Sequence, residues 1–399
     1  MRSVVEHRAA ALTLAGAPRS EQVPAAAALG RVLAHDVRTL VDVPSFTNSA
    51  MDGYAVRVAE AAAGAILPVS ADIPAGVFPA PLAPGTAARI MTGAPVPQGA
   101  DAVVPREVTD DGLERVRVTV APAPGAHIRL AGEDARAGDL VLGAGTVLTP
   151  PRLAAIAGAG HAEVSVRARP RVVVVSTGDE LRAPGEELAP GQIFDSNSTL
   201  MAALVEQAGG EVAAALRLGD DPVAFLAAVE TASAGCDLIL TAGGVSVGAY
   251  DVVKAALADA GVEFVPVAMQ PGKPQGLGRV GRVPIACLPG NPVSVAASFT
   301  AFVEPLLRTM LGLPAREPEA AVAGEGWVSP PGREQRIPVV IEPPVPGGTA
   351  APVVRPATAG GSRSHLGLRL AVAEGWAIVP PDVQRVEAGD SVGLMRFLP

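Results

Sequence analysis

Apolar positions between residues 171 and 311 come in short continuous runs that alternate with stretches of helical spacing. Residues 172–175 are an unbroken apolar run, the pattern of a strand buried on both faces. The spacing then predicts a helix over 199–208, a strand over 212–216 and a helix over 222–231. Residues 238–241 read as a further strand that leads into a Gly-rich loop and a helix over 252–260. Strands are expected at 262–267 and 284–288, and a long helix at 293–311. Strands that alternate with helices of this length imply a mostly parallel sheet covered on both faces. Ligands of such sheets bind beyond the carboxyl ends of the strands. The loops 176–180, 220–221, 243–254 and 289–292 are therefore expected to converge on one edge.

The flanking pattern is less regular. Residues 55–134 are rich in Pro, Gly, Ala and Val and read as a β-rich domain inserted into a mixed N-terminal segment made of 1–54 and 135–170. The parallel-sheet domain is assigned to 171–314. A C-terminal β-barrel-like domain takes 315–399, with strands near 338–341 and 376–379. The fold class is thus multidomain α/β with a central three-layer α/β domain. At the N-terminus, Arg2 and Arg8 before an Ala-rich run loosely mimic a signal peptide. Glu6 and His7 break the basic segment, so an amphipathic helix is the better reading. No stretch approaches a membrane span, and Cys236 and Cys287, far apart in the chain, fit the reducing compartment of a cytoplasmic protein.

Composition sharpens this picture in three places. The 44 Gly and 39 Pro make up about a fifth of the 399 residues, which fits turn-rich folded domains and falls short of low-complexity disorder. A net charge of −9 without a basic run disfavours nucleic acid as a partner and still leaves room for a small anionic substrate met by local donors or a bridging cation. Cys236 and Cys287 lie far apart with no CxxC pair, so neither a disulfide framework nor a zinc site is expected. Only two of the 31 basic residues are lysines, Lys254 and Lys273; Asn occurs at 48, 197 and 291, and Tyr at 54 and 250. Residues that survive such avoidance are candidates for work their substitutes cannot do. A compact ammonium, for example, enters anion sites too tight for a guanidinium.

Gly243-Gly-Val-Ser-Val-Gly248 resembles a phosphate cradle, although a plain turn explains it nearly as well, and its spacing matches neither a dinucleotide fingerprint nor a Walker loop. Asp251 and Lys254 share one face at a helix start, where an N-cap beside a surface lysine is the bland alternative. Pro222 suits the first helical position, which makes Asp221 the N-cap and leaves Asp220 without a structural task. Asp220, Asp251 and Glu180 would form a carboxylate group near phosphate-binding loops, tolerable only around a cation. Mg²⁺ suits that pairing of carboxylates with phosphate oxygens. Asp52 and Asp134 each adjoin a glycine, and taken singly a turn role suffices for them. The five histidines lack ligand spacing.

Eight segments taken together resemble the MoeA family of molybdopterin molybdenumtransferases, which includes the E domain of gephyrin. They are Ser49-Ala-Met-Asp-Gly-Tyr-Ala55, Ile90-Met-Thr-Gly-Ala-Pro95, Arg129 with Gly132-Glu-Asp134, Ser176-Thr-Gly-Asp-Glu-Leu181, Asp195-Ser-Asn197, Gly243 to Asp251, Pro271-Gly-Lys-Pro274 and Leu288-Pro-Gly-Asn-Pro-Val-Ser294. The resemblance implies a four-domain homodimer that uses Mg²⁺, adenylyl-molybdopterin and molybdate to give molybdenum cofactor and AMP. It carries over Asp52, Thr92, Asp134, Glu180, Asp220, Asp251, Pro289, Pro292 and Ser364 as residues important for activity. The reading of the loops adds Lys273, Ser246 and Ser294 as anion contacts. Thr177, Gly243, Gly244 and Asn291 are added as further substrate contacts. Three positions depart from the family pattern: Gln270 stands for a Lys, Thr47 for an Asp and Glu374 for an Asn. An adenylyltransferase of the MogA type, which shares the parallel-sheet fold and is also a candidate for transient contact, and a non-catalytic scaffold are the competing readings. The flanking domains and the Met-Asp-Gly-Tyr segment argue against the first, and the intact acidic and lysine positions against the second.

Overall fold

The computed structural model describes residues 1–245, 251–342, 351–357 and 367–397. The chain opens with helix α1 (Val4–Leu12), started by a capping box in which Ser3 and Glu6 exchange hydrogen bonds. Two compact units follow from the packing, one of residues 22–166 and one of 1–21 with 167–399.

In the first unit, strands β1 (Gly53–Val56), β2 (Ile66–Ile73), β3 (Ala87–Ile90), β4 (Ala102–Pro105) and β5 (Arg115–Arg117) form a sheet in the order β4-β1-β3-β2-β5. Successive residues of β1 face opposite ways, so Tyr54 and Val56 join one apolar cluster and Ala55 another. Tyr54 is fully buried and donates its hydroxyl to Asp111 and to the Gly112 carbonyl, both at 3.1 Å. A third cluster packs helix α2 (Pro150–Gly158) through Ile156 against Leu33, Leu148 and Val166.

The second unit holds the α/β domain. Its elements are β6 (Arg171–Thr177), α3 (Asn197–Gln207), β7 (Glu211–Leu218), α4 (Pro222–Ser233), β8 (Leu238–Ala242), α5 (Val252–Leu257), β9 (Val262–Pro266), β10 (Met269–Gln270), β11 (Pro274–Val280), β12 (Val283–Leu288), α6 (Pro292–Ser298) and α7 (Glu304–Met310). The sheet order is β7-β6-β8-β12-β11-β9. The first four strands are parallel, and β11 and β9 add antiparallel at one edge. Val172 and Val174 pack on the α1, α3, α6 and α7 side, Val173 and Val175 on the α4 and α5 side. That two-sided burial is why the run carries no polar residue. Asp221 caps α4 by accepting from Val223 and Ala224, as its place before Pro222 requires.

A π-helical turn, residues 299–303, joins α6 to α7. Pro305 has no N–H to give the Ala301 carbonyl four residues back, and the Arg8 Nε donates to that carbonyl instead at 3.0 Å. Beyond α7, strands β13 (Glu319–Ala323), β14 (Glu334–Glu342), β15 (Val353–Pro356), β16 (Gly375–Val379) and β17 (Ser391–Arg396) close into a barrel in the order β14-β15-β13-β17-β16 and back to β14. Strand β10 of the α/β domain pairs in parallel with the first residues of β14. Among the described residues no helix is long and apolar enough to cross a membrane.

Candidate active site

The loops that leave the carboxyl ends of β6, β7, β8 and β12 enclose a pocket of about 690 Å³. It is lined by Thr177 and Glu180 after β6, Asp220 after β7, Gly243, Gly244 and Asp251 after β8, and Pro289, Asn291, Pro292 and Ser294 after β12. Lys273 enters from the β10–β11 loop. The α/β domain thus gathers every described candidate of its own segment into one pocket. Ser246 and Ser364 fall outside the described residues.

Local structure explains how each group is held. Thr177 is buried, and its hydroxyl has no hydrogen-bond partner among the described residues. It lies against Gly243, where an added Cβ would approach the Thr177 Oγ1 to 2.8 Å at a φ of 101°. Residue 243 must therefore be glycine. Its N–H is already spent on the Leu288 carbonyl, so the cradle reading of this loop loses one donor. The Glu180 carboxylate folds back over Gly178 into the space a side chain there would take. Asp251 occupies the N-cap position of α5, and Pro292 starts α6.

Asp220 has a structural task after all. Its N–H donates to the Asp179 Oδ1 at 3.2 Å, while the Asp179 N–H approaches the Asp220 Oδ2 at 3.4 Å, so the loops after β6 and β7 brace each other. The expected carboxylate group also needs revision. Glu180, Asp220 and Asp251 share the pocket, yet among the described residues no three acidic, His or Cys side chains come close enough to cage a metal. Dispersed carboxylates suit a Mg²⁺ ion, which keeps water and takes one or two carboxylates with substrate phosphate oxygens. They do not suit an all-protein Zn²⁺ or Ca²⁺ cage.

Sequence reasoning missed Arg333. This half-buried residue lines the pocket just before β14 and donates from Nη1 to the Gln270 Oε1 at 3.0 Å. A cation thus stands beside the position where the sequence departs from the family lysine. No motif marks Arg333, and only the β10–β14 pairing brings it to the pocket. Rarity was a partial guide. Lys273, Asn197 and Asn291 line the pocket, while Lys254 is exposed away from it and Tyr54 belongs to a core.

The other candidates belong to the first unit. Asp52 accepts hydrogen bonds from the Thr92 N–H and hydroxyl, both at 2.7 Å, and these bonds hold its carboxyl below the usual carboxylate range. Asp134 is exposed, and its N–H bonds the Val43 carbonyl.

Residues 2–160 match the family described as MoeA N-terminal region (domain I and II), 173–309 the probable molybdopterin binding domain, and 320–397 the MoeA C-terminal region (domain IV). The chain is 47% identical over 405 residues to a protein of Mycobacterium tuberculosis named molybdopterin molybdenumtransferase 2, covering 98% of each. It is 40% identical over 290 residues to the molybdopterin molybdenumtransferase of Haemophilus influenzae, covering 71% of each. A crystal structure of a molybdopterin biosynthesis MoeA protein from Pyrococcus horikoshii superposes with a TM-score of 0.85 at 29% identity, over 99% of this chain and 98% of the other. By its three matched regions and its near full-length relatives, the chain belongs to the MoeA family.

Proposed function

We propose that this protein is a molybdopterin molybdenumtransferase that inserts molybdate into adenylyl-molybdopterin and releases AMP to complete the molybdenum cofactor. The observation that carries the reading is one pocket that holds dispersed carboxylates, Glu180, Asp220 and Asp251, together with two cations, Lys273 and Arg333. Molybdate is a tetrahedral dianion, and the Lys273 ammonium with the Arg333 guanidinium gives it charge-assisted donors. Ser294, buried at the pocket wall, adds a hydroxyl. Asp220 and Asp251 would hold Mg²⁺, and Glu180 completes the acidic side. When bound, the ion neutralises charge on the substrate phosphate and on the departing AMP. The chain's own contribution is placement: loops fixed by the sheet bring acidic and cationic side chains to the lining of one pocket.

Asp52 with Thr92, and Asp134, are proposed to act in the same reaction from the first unit. The expected assembly is a homodimer in the cytoplasm, with transient contact to an adenylyltransferase that supplies the substrate. The test is direct. Purified protein given adenylyl-molybdopterin, molybdate and Mg²⁺ should release AMP, and Asp251→Ala or Asp220→Ala should abolish it. AMP release that persists in both variants removes the metal assignment. No release by the unmodified protein removes the transferase reading and favours a scaffold.

A further inference from the structure

We infer that Arg2, at the very start of the chain, is a positioning residue for Lys273, joined to it through a hydrogen-bonded node at Val267 and Ala268. The Arg2 N–H donates to the Pro266 carbonyl at 3.0 Å, and the Ala268 N–H donates to the Arg2 carbonyl at 2.8 Å, so Arg2 forms a parallel bridge to Val267. The Arg2 guanidinium grips both carboxylate oxygens of Glu263 on β9, each at 2.8 Å. Val267 in turn donates its N–H to the Lys273 carbonyl at 2.6 Å and closes residues 267–273 into a ring. The other side of the node is fastened to the barrel, where the Glu334 N–H donates to the Ala268 carbonyl at 2.9 Å.

Every backbone group of this node is paired, and Val267 and Met269 are fully buried. The ring cannot shift without breaking one of these bonds, and Lys273, an exposed residue at the bond that closes it, goes where the ring goes. The N-terminal anchor is itself held firmly. Ser3 caps α1, His7 packs edge-on to Phe302 with centroids 4.6 Å apart, and Arg8 bonds the π turn. A line of contacts therefore runs from the α1 core to the backbone of Lys273, from which the ammonium proposed to meet molybdate extends. Misplacing a charged donor by about 1 Å is enough to weaken binding severalfold or more.

The inference rests on Lys273 as the molybdate contact, and the experiment separates the two. Binding of inorganic molybdate and of AMP is measured by calorimetry for the full chain and for Arg2→Ala, Arg2→Lys, Glu263→Gln and Lys273→Ala. Amide exchange of residues 267–273 is followed in the same proteins. Arg2→Ala and Glu263→Gln should raise the molybdate Kd by roughly three- to tenfold, leave the AMP Kd within about twofold and speed exchange across 267–273. Arg2→Lys, which keeps a cation that can meet Glu263 through one nitrogen as Nη2 now does, should fall between. If Lys273→Ala weakens molybdate while the Arg2 and Glu263 variants change neither its affinity nor exchange at 267–273, the inference is overturned and the Lys273 role stands. Faster exchange confined to residues 3–12 with unchanged molybdate binding would mark a purely structural role, and also overturns it. Unchanged molybdate affinity in Lys273→Ala removes both.

Discussion

Asp179 and Asp220 each approach the other's backbone N–H through a carboxylate oxygen, at 3.2 and 3.4 Å, across the loops that follow β6 and β7. The contact separates two jobs that one substitution would otherwise confuse. Asp220→Asn keeps an oxygen that can accept from Asp179 but loses the charge. Its thermal unfolding should stay within about 0.5 kcal/mol of the parent, while AMP release falls by about 10²-fold. Asp220→Ala should lose both activity and some stability. Equal activity in Asp220→Asn and the parent would show that the bracing alone matters.

The pairing of Pro305 with Arg8 is open to a double-mutant cycle. Arg8→Ala leaves the Ala301 carbonyl without its donor and should cost about 1–3 kcal/mol in urea unfolding. With Pro305→Ala in the background, the new N–H at 305 can reach Ala301, and the cost of Arg8→Ala should shrink by more than about 0.5 kcal/mol. Additive costs would mean that the Ala301 carbonyl is not the shared partner.

His7 sets an acid limit on stability. Burial, and then the nearby Arg2 charge, push its imidazole down to about 4 from an ordinary 6.5. Both ring nitrogens lack hydrogen-bond partners among the described residues. Below pH 6.5 the unfolded chain takes up a proton that the folded chain refuses. The His7 share of stability is therefore complete above pH 6.5 and falls progressively to about pH 4, by on the order of 3 kcal/mol. His7→Phe should flatten the unfolding free energy across that window, and an unchanged slope would assign the acid sensitivity elsewhere.

Gln270 and Arg333 form a pair that should tolerate a swap better than a simple reversion. Gln270→Lys restores the family residue but sets an ammonium against the Arg333 guanidinium, where Gln270 now accepts at 3.0 Å. Like charges at such range repel by about 1 kcal/mol or more. Molybdate affinity should gain no more than about twofold and thermal stability should fall, whereas Gln270→Lys with Arg333→Gln should bind close to the parent. A large gain from Gln270→Lys alone would show that Arg333 does not stand in for the missing lysine.

The core of the α/β domain was legible because its strands are short, apolar and buried on both faces. The runs at 172–175, 212–216, 238–241 and 284–288 all sit within observed strands, and α4 and α6 start at their proline positions. Strand β11 was not foreseen. Its residues Pro274, Gln275, Gly276 and Gly278 carry little apolar signal, and it is held by antiparallel bonds to β9 and β12 rather than by its own pattern. For the same reason the sheet is not parallel throughout. In the pocket, residues that sit in Gly- and Pro-rich motifs could be named in advance. Arg333 and the Asp179–Asp220 brace could not, because tertiary pairing alone creates them.

The π turn between α6 and α7 carries a last consequence. One additional residue per turn rotates everything downstream by about 100° relative to an unbroken α-helix. The stretch that presents Ser294 to the pocket and Ser298 to Gln275 is thereby set on a different azimuth from the stretch that packs Leu306 and Leu307 into the core. Val295 and Phe299 nevertheless share one apolar cluster with Leu306 and Leu307, so a change of volume in the scaffold is felt at the wall of the cleft that grows out of it.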